Sequence, residues 1–237
     1  MEKFTEIDTW VFDLDNTLYP RHCDLFSQID VLMTGYVSKL TGLERTEARK
    51  LQKDLYRDYG TTLRGLMETH GINPHDFLGV VHDIDYSFLP KKPELGEMLQ
   101  ALPGRKLIYT NGSVEHARNT LEAMDISHAL FDSIFDIVAS DFEPKPHHQP
   151  FGKFLKEHDV DGSRSAMFED LPRNLEPAKA NGMLTVLITP QNSGEYAVEN
   201  WEHVESSESY IDHQTDDLDG FIGDVLEILK PQPDSVS

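Results

Sequence analysis

The stretch WVFDLDNTLYP, Trp10 to Pro20, decides how this chain is read. Trp10, Val11 and Phe12 form a short apolar run that stops at two acids, Asp13 and Asp15. A run this short and unbroken predicts a strand buried on both faces, as in parallel sheets. Open α/β sheets bind ligands beyond the carboxyl ends of such strands. Two carboxylates there suit a divalent cation, because magnesium takes oxygen ligands and commonly binds through one or two carboxylates plus phosphate. Either acid alone also serves as a helix cap, so the rest of the chain has to decide.

Comparable apolar runs recur at Leu107–Tyr109, Ile134–Ala139, Ala166–Phe168 and Leu184–Ile188. Between them lie helical spacings, as in Val114, Ala117, Leu121 and Met124, and again after Phe151. This alternation predicts the α/β class, with a doubly wound parallel sheet. Residues 20–90 break it: Leu25, Phe26, Ile29, Leu32, Met33, Tyr36, Val37 and Leu40 form one broad helical face. Further helices are predicted near Thr46–Tyr59, Leu63–Thr69 and Pro74–His82, separated by Gly42, Gly60 and Gly71. Helix without strand predicts an inserted α-helical cap domain over residues 20–90, set into an α/β core of residues 1–19 and 91–237. Pro20 and the Pro90–Pro93 stretch mark the two crossings and permit a hinged lid. Beyond Thr189 the chain is acidic and poor in apolar residues as far as Tyr210 and Ile211. A last amphipathic helix is predicted over Asp216–Leu229, then a loose tail, Pro231–Ser237.

Composition narrows the function. A net charge of −21 with no basic block argues against polymeric nucleic acid as a partner. No apolar run approaches the ~18–20 residues of a membrane helix, and the N-terminus lacks the pattern of a secretory signal. The expectation is a soluble, cytoplasmic protein with no membrane partner, either a monomer or a homodimer. Cys23, the sole cysteine, excludes an internal disulfide framework and reads as a packing residue. The same negative field repels a phosphorylated substrate, so a phosphate site needs local donors and a metal cation.

Three further segments supply such groups. Glu169 and Asp170 end an apolar run in FEDLPRN; Thr110, Asn111 and Gly112 close the run before them with a hydroxyl, an amide and an unhindered backbone N–H. Lys145, between Pro144 and Pro146, offers a point charge for phosphate. Taken singly these are a solvated acidic loop, a turn and a surface lysine. Their order, acid pair, Thr-Asn-Gly, lysine, acid pair, each at a strand end, carries the argument. His147 and His148 lack partners at zinc-ligand spacing and read as a loop into the next helix. Gly182 reads as a helix C-cap and Asn174 as a cap at that helix's start.

In order and spacing these segments resemble the four motifs of the haloacid dehalogenase superfamily of phosphohydrolases, across essentially the whole chain. The insertion between the first two motifs resembles its helical-cap subclass. The resemblance implies a Mg2+ cofactor, with Asp13 as nucleophile and metal ligand. It implies Asp15 as general acid/base, binding metal through its backbone carbonyl, and Asp170 as the remaining ligand with Glu169 in support. Thr110 and Lys145 would hold the phosphoryl oxygens with backbone N–H groups around Leu14, Asp15, Asn111 and Gly112; Asn174 completes the fourth motif. An acid/base role predicts that Asp15's pKa is raised toward operating pH.

Within the superfamily, DNTLYP, YRDYGTTLRGL (Tyr56–Leu66) and HDIDYSFLP (His82–Pro90) are most similar to bacterial and fungal pyrimidine 5′-nucleotidases. That implies a small phosphorylated metabolite, a nucleoside monophosphate such as UMP or CMP, met by Tyr59, Thr61, Thr62 and Arg64. A phosphoglycolate phosphatase, another small-metabolite phosphatase or a mutase shares the four motifs. A receiver-type signalling domain also clusters acids, Thr and Lys, yet lacks a helical insertion and carries its acceptor aspartate on a later strand. Dehalogenase chemistry needs no acid at position 15 and no magnesium.

Overall fold

β1 (Thr9–Phe12) lies at the centre of a parallel sheet in the computed structural model, which describes residues 1–191 and 208–230. With β2 (Arg105–Tyr109), β3 (Ser133–Phe135), β4 (Ser165–Glu169), β5 (Leu184–Ile188) and β6 (His213–Thr215), the strand order is β3-β2-β1-β4-β5-β6. Every pairing is parallel. The order turns at β1, since the chain adds β2 and β3 on one side and β4 to β6 on the other. Ligands gather at such a switch point.

Between β1 and β2 the chain forms α1 (Leu25–Thr41), α2 (Arg45–Tyr59), α3 (Thr62–His70) and α4 (Pro74–Val81), with no strand among them. Thr61 caps α3 and Asn73 caps α4, each side chain accepting from a first-turn N–H. Ile29, Val37, Leu55, Leu66 and Phe77 bury one another in a cluster of their own, which meets the sheet layer through Ile137.

The sheet's two faces follow from side-chain alternation. Trp10 and Phe12 join Ile108, Ala166 and Phe168 on one face, beneath α5 (Pro93–Ala101), α6 (Val114–Ala123) and α9 (Leu218–Leu229). Val11 joins Leu107, Tyr109 and Met167 on the other, beneath α7 (His148–Glu157) and α8 (Pro172–Ala180). Both faces are covered, which is why the strands read as unbroken apolar runs.

Several expectations need correction. β3 stops at Phe135 instead of running to Ala139, because the buried Asp136 turns the chain. Its carboxylate accepts from Val114 N, in the first turn of α6, at 3.0 Å and from Ala139 N at 2.8 Å, folding the segment after β3 into a turn. β6 was not predicted: His213, Gln214 and Thr215 form a short edge strand with no apolar signature. Asn174 is no cap, since Leu171 takes that position for α8 and the Asn174 side chain is buried. Gly182, by contrast, follows α8 with φ +85° as a C-capping glycine does. Cys23 is partly buried and packs against the core. The last helix begins at Leu218, where the Asp217 side chain caps it. Most of the acidic stretch after Thr189 and the tail Pro231–Ser237 lie outside the described residues. Among the described residues no helix is long and apolar enough to cross a membrane.

The turn into β2 gives a direct test. Gly104 has φ +74°, and a Cβ there would lie 2.0 Å from the Asp8 carbonyl oxygen, which accepts from Arg105 N. Gly104→Ala is expected to lower the unfolding free energy by about 2–3 kcal/mol in a denaturant titration. A change within about 0.5 kcal/mol would contradict the strain.

Candidate active site

Phe12 pairs with Ile108 on one side and Phe168 on the other, so β1, β2 and β4 reach the carboxyl edge in register. The ladder continues one step, with Asp13 N donating to Phe168 O at 2.9 Å and Thr110 N to Phe135 O at 3.0 Å. Asp13, Thr110, Glu169 and Asp170 therefore meet at one place. Oxygens of Asp13, Glu169 and Asp170 all lie within 4.8 Å of one another, the only group of metal-ligand geometry among the described residues. His147 and His148 stand apart on the surface, beside Glu143 and Glu176.

Lys145 holds this cluster together. Its ammonium donates to Asp13 Oδ1 and Glu169 Oε2, both at 2.6 Å, and to the Tyr109 carbonyl at 3.0 Å. Asn111 sets the loop that carries it, accepting from Lys145 N at 2.9 Å. Thr17 donates to Asp13 Oδ2 at 3.1 Å, so both oxygens of that carboxylate are held. Arg21 donates to Asp170 Oδ2 at 2.7 Å, and Glu169 Oε1 accepts from the backbone N–H groups of Asp170 and Leu171.

Three carboxylates thus face one ammonium and one guanidinium, which leaves a buried surplus of negative charge. Burial, then repulsion from Glu169, pushes Asp13 up to about 7 against the pull of Lys145. Burial also raises Glu169 to about 7 and Asp170 to about 6, with Asp170 repelling Glu169 and Asp13 repelling Asp170. For Lys145, burial favours loss of the proton, but the charges of Asp13 and Glu169 outweigh it and keep the group ionised.

Asp15 departs from expectation. Burial works to raise its pKa, yet it is lowered to about 2, because His116 and Tyr19 favour the ionised form more strongly. His116 Nε2 lies 2.8 Å from Asp15 Oδ1, and Tyr19 Oη donates to that same oxygen at 2.5 Å.

The remaining predicted residues divide. Thr110 Oγ1 accepts from Gly112 N at 2.9 Å, and a Cβ on Gly112 would lie 3.0 Å from the His116 ring, a tight contact. Leu14 is buried in the core, leaving only its backbone to face a ligand. A cavity of about 350 Å³ opens over Asp13, Asp15, Thr110 and Asp170, beneath α1, α2 and α4. Thr61 and Thr62 line it; Tyr59 and Arg64 do not. Arg64 pairs with Glu68 and Glu143, and the Tyr59 ring packs beside Gly65. The α2 face over the cavity is instead Arg49, Gln52, Lys53 and Tyr56, the i, i+3, i+4, i+7 set one turn earlier. The sequence reading missed His116, Arg21, Thr17 and Tyr19. Thr17 and Tyr19 stand inside the motif already quoted, four residues after Asp13 and Asp15, whereas His116 carried no signal beyond its place in an apolar helical pattern.

The family model for haloacid dehalogenase-like hydrolases matches residues 7–182. The chain belongs to that family. This hydrolase is 25% identical over 235 residues to phosphate metabolism protein 8 of Saccharomyces cerevisiae, covering 92% of this chain and 70% of that one. It is 27% identical over 197 residues to the glyceraldehyde 3-phosphate phosphatase of Pyrococcus abyssi, covering 74% and 78%. Its fold is shared with CbbY of Rhodobacter sphaeroides in complex with phosphate, at TM-score 0.58, 18% identity and 89% and 94% coverage. The magnesium-bound HAD-hydrolase YfnB of Bacillus subtilis gives TM-score 0.57, 14% identity and 95% and 99% coverage.

The charge surplus makes a measurable prediction for the metal-free hydrolase. Its native carboxyls at positions 13, 169 and 170 titrate near 7, 7 and 6, above the value of about 4 in an unfolded chain. Between those limits the native state holds protons that the unfolded state releases, so stability falls as pH rises from about 4 to about 7. Asp15 has the opposite sign and contributes stability that is lost only as pH falls toward about 2. The Tm in chelator is expected to drop by at least about 5 °C between about pH 5.5 and pH 8. Asp13→Asn should flatten that slope, and magnesium should raise Tm more at the higher pH. A chelated protein whose Tm rises over this interval, with no effect of Asp13→Asn, would contradict the surplus.

Proposed function

We propose that this hydrolase is a magnesium-dependent phosphomonoesterase that forms a phospho-aspartate at Asp13 and acts on pyrimidine nucleoside 5′-monophosphates, UMP or CMP. The observation that carries the reading is the carboxylate of Asp13 at the cavity floor, fixed by Lys145 and Thr17, with the Asp15 carboxyl two residues on. The helical segment of residues 20–90 is the cap in this reading.

A magnesium ion fits the donor set: three clustered carboxylates, all oxygen ligands, carry more charge than the adjacent cations balance. Asp13, Asp170 and the Asp15 carbonyl would hold it, with Glu169 in support, and it would supply neutralisation of the converging anions. The protein groups then do the rest. An ionised Asp13 oxygen attacks phosphorus as the ester P–O bond breaks, and the departing oxygen takes a proton from Asp15. Asp15, now a carboxylate, removes a proton from the water whose oxygen attacks phosphorus, the bond to Asp13 breaks, and inorganic phosphate leaves. Lys145 and Thr110 face the charge that spreads over the phosphoryl oxygens. Asp15's low pKa leaves it ionised for the second step. For the first it gains its proton as the phosphate's charge settles beside it, since a neighbouring anion raises a carboxyl's pKa.

Support for a nucleotide comes from the three sequence segments that resemble pyrimidine 5′-nucleotidases and from the cavity. Its volume, about 350 Å³, falls in the range of small-molecule sites, about 300–1,000 Å³, and exceeds the needs of phosphate alone. Phe26, Ile29, Met33 and Phe77 give it apolar walls, and Gln52, Thr61 and Thr62 give it polar points. The similarity to a glyceraldehyde 3-phosphate phosphatase favours a second reading, a smaller sugar or carboxylic-acid phosphate.

A panel of UMP, CMP, AMP, phosphoglycolate and glyceraldehyde 3-phosphate, assayed with magnesium and with chelator, separates the two. The expected outcome is highest kcat/KM for UMP or CMP and loss of turnover in chelator. Highest kcat/KM for phosphoglycolate or glyceraldehyde 3-phosphate would favour the second reading, and full activity in chelator would remove the metal.

A further inference from the structure

We infer that His116 is a positioning residue for Asp15, locked in place by the segment that returns from the helical layer to the sheet. The inference rests on the reading of Asp15 as the group that carries the proton.

His116 is 0% exposed, on the face of α6 turned toward the site. Its Nε2 and the Tyr19 hydroxyl converge on a single oxygen, Asp15 Oδ1, at 2.8 and 2.5 Å. Two partners on one oxygen fix the carboxyl's rotation about its own axis. Asp15 Oδ2 then accepts no hydrogen bond among the described residues and lies toward the Thr110–Gly112 turn, 3.7 Å from where a Gly112 Cβ would stand. That is the oxygen left to meet an ester.

The other edge of the imidazole is held as firmly. Nδ1 lies 3.0 Å from Tyr86 Oη, and the ring stacks on His82 at 4.4 Å between centroids and 11° between planes. His82 ends α4, and Tyr86 begins the short 3-10 turn after it, so both belong to the stretch leaving the helical layer. His82 Nδ1 in turn lies 3.1 Å from the Ser113 hydroxyl, which caps α6 by accepting from His116 N. A buried histidine with no functional part needs partners for its nitrogens and nothing more. Here one nitrogen meets the proton-carrying carboxyl and the other meets the crossing between layers, so movement of that crossing reaches Asp15 through a single ring.

Leaving-group dependence tests this, because kcat/KM reports only the steps through release of the alcohol. An alkyl phosphate needs a proton on its leaving oxygen, whereas p-nitrophenyl phosphate does not. His116→Leu, with its Tm measured to confirm folding, is expected to lower kcat/KM about 10²-fold or more for a nucleoside monophosphate or glycerol phosphate. The loss in kcat/KM for p-nitrophenyl phosphate should be no more than about 3-fold. His116→Gln, which keeps a donor near Nε2, should recover most of the loss. Tyr86→Phe should show the same ester-dependent pattern at smaller size, about 3- to 10-fold, and it carries the test together with His116→Gln if the leucine variant fails to fold. Equal losses on both esters, or none, would overturn the positioning role. Asp15→Asn in parallel separates the two failures. Wild-type rates for that variant on both esters would sink the acid/base reading itself, whereas an ester-dependent loss in Asp15→Asn without one in the His116 and Tyr86 variants would sink only this inference.

Discussion

More negative charge is buried at the carboxyl edge of β1, β2 and β4 than the neighbouring cations neutralise, and the site is organised around that imbalance. In-register pairing of three short strands forces it, because the residues that follow Phe12 and Phe168 are acids and have one place to go. Lys145 answers Asp13 and Glu169 together, and Arg21 answers Asp170. One anion remains over. Clustered carboxylates of this kind are tolerated either by holding protons or by taking a cation, and the elevated pKa values of all three describe the first alternative. A divalent cation is the second, and oxygens within 4.8 Å of one another are arranged for it.

The same edge treats Asp13 and Asp15 in opposite ways. They are two residues apart in sequence, yet one is driven up to about 7 by burial among like charges and the other down to about 2 by His116 and Tyr19. Asp13, pinned on both oxygens, suits a fixed nucleophile once a cation holds it ionised. Asp15, pinned on one oxygen and open on the other, suits a group that exchanges a proton with whatever enters the cavity.

How much of this was legible in the sequence depends on how local the cause is. The apolar runs before Asp13, Thr110 and Glu169 announced buried parallel strands, and the long apolar face from Leu25 announced helix, because periodicity is a local property. The early stop of β3 was hidden, since it depends on a buried Asp136 satisfying backbone donors from two segments. β6 has three residues and no pattern to read. In the site, the acids, Thr110 and Lys145 stood out at strand ends, while His116 is 101 residues from Asp15 and sits among apolar positions of a helix. Its role is a matter of packing between layers, which no spacing in the chain records. The cavity-facing set on α2 was misjudged by one turn for a similar reason: Tyr59 is drawn off toward α3, leaving Tyr56 and the residues before it over the opening.

In the proposed reaction Asp13 takes the phosphoryl group. Rapid acid quench during turnover of a nucleoside monophosphate, followed by peptide mass analysis, reads that event directly. One added phosphoryl group is expected on the peptide containing Asp13, absent from Asp13→Asn and lost on treatment with hydroxylamine. Turnover at the wild-type rate by Asp13→Asn, or a phosphoryl group trapped on any other residue, would contradict it.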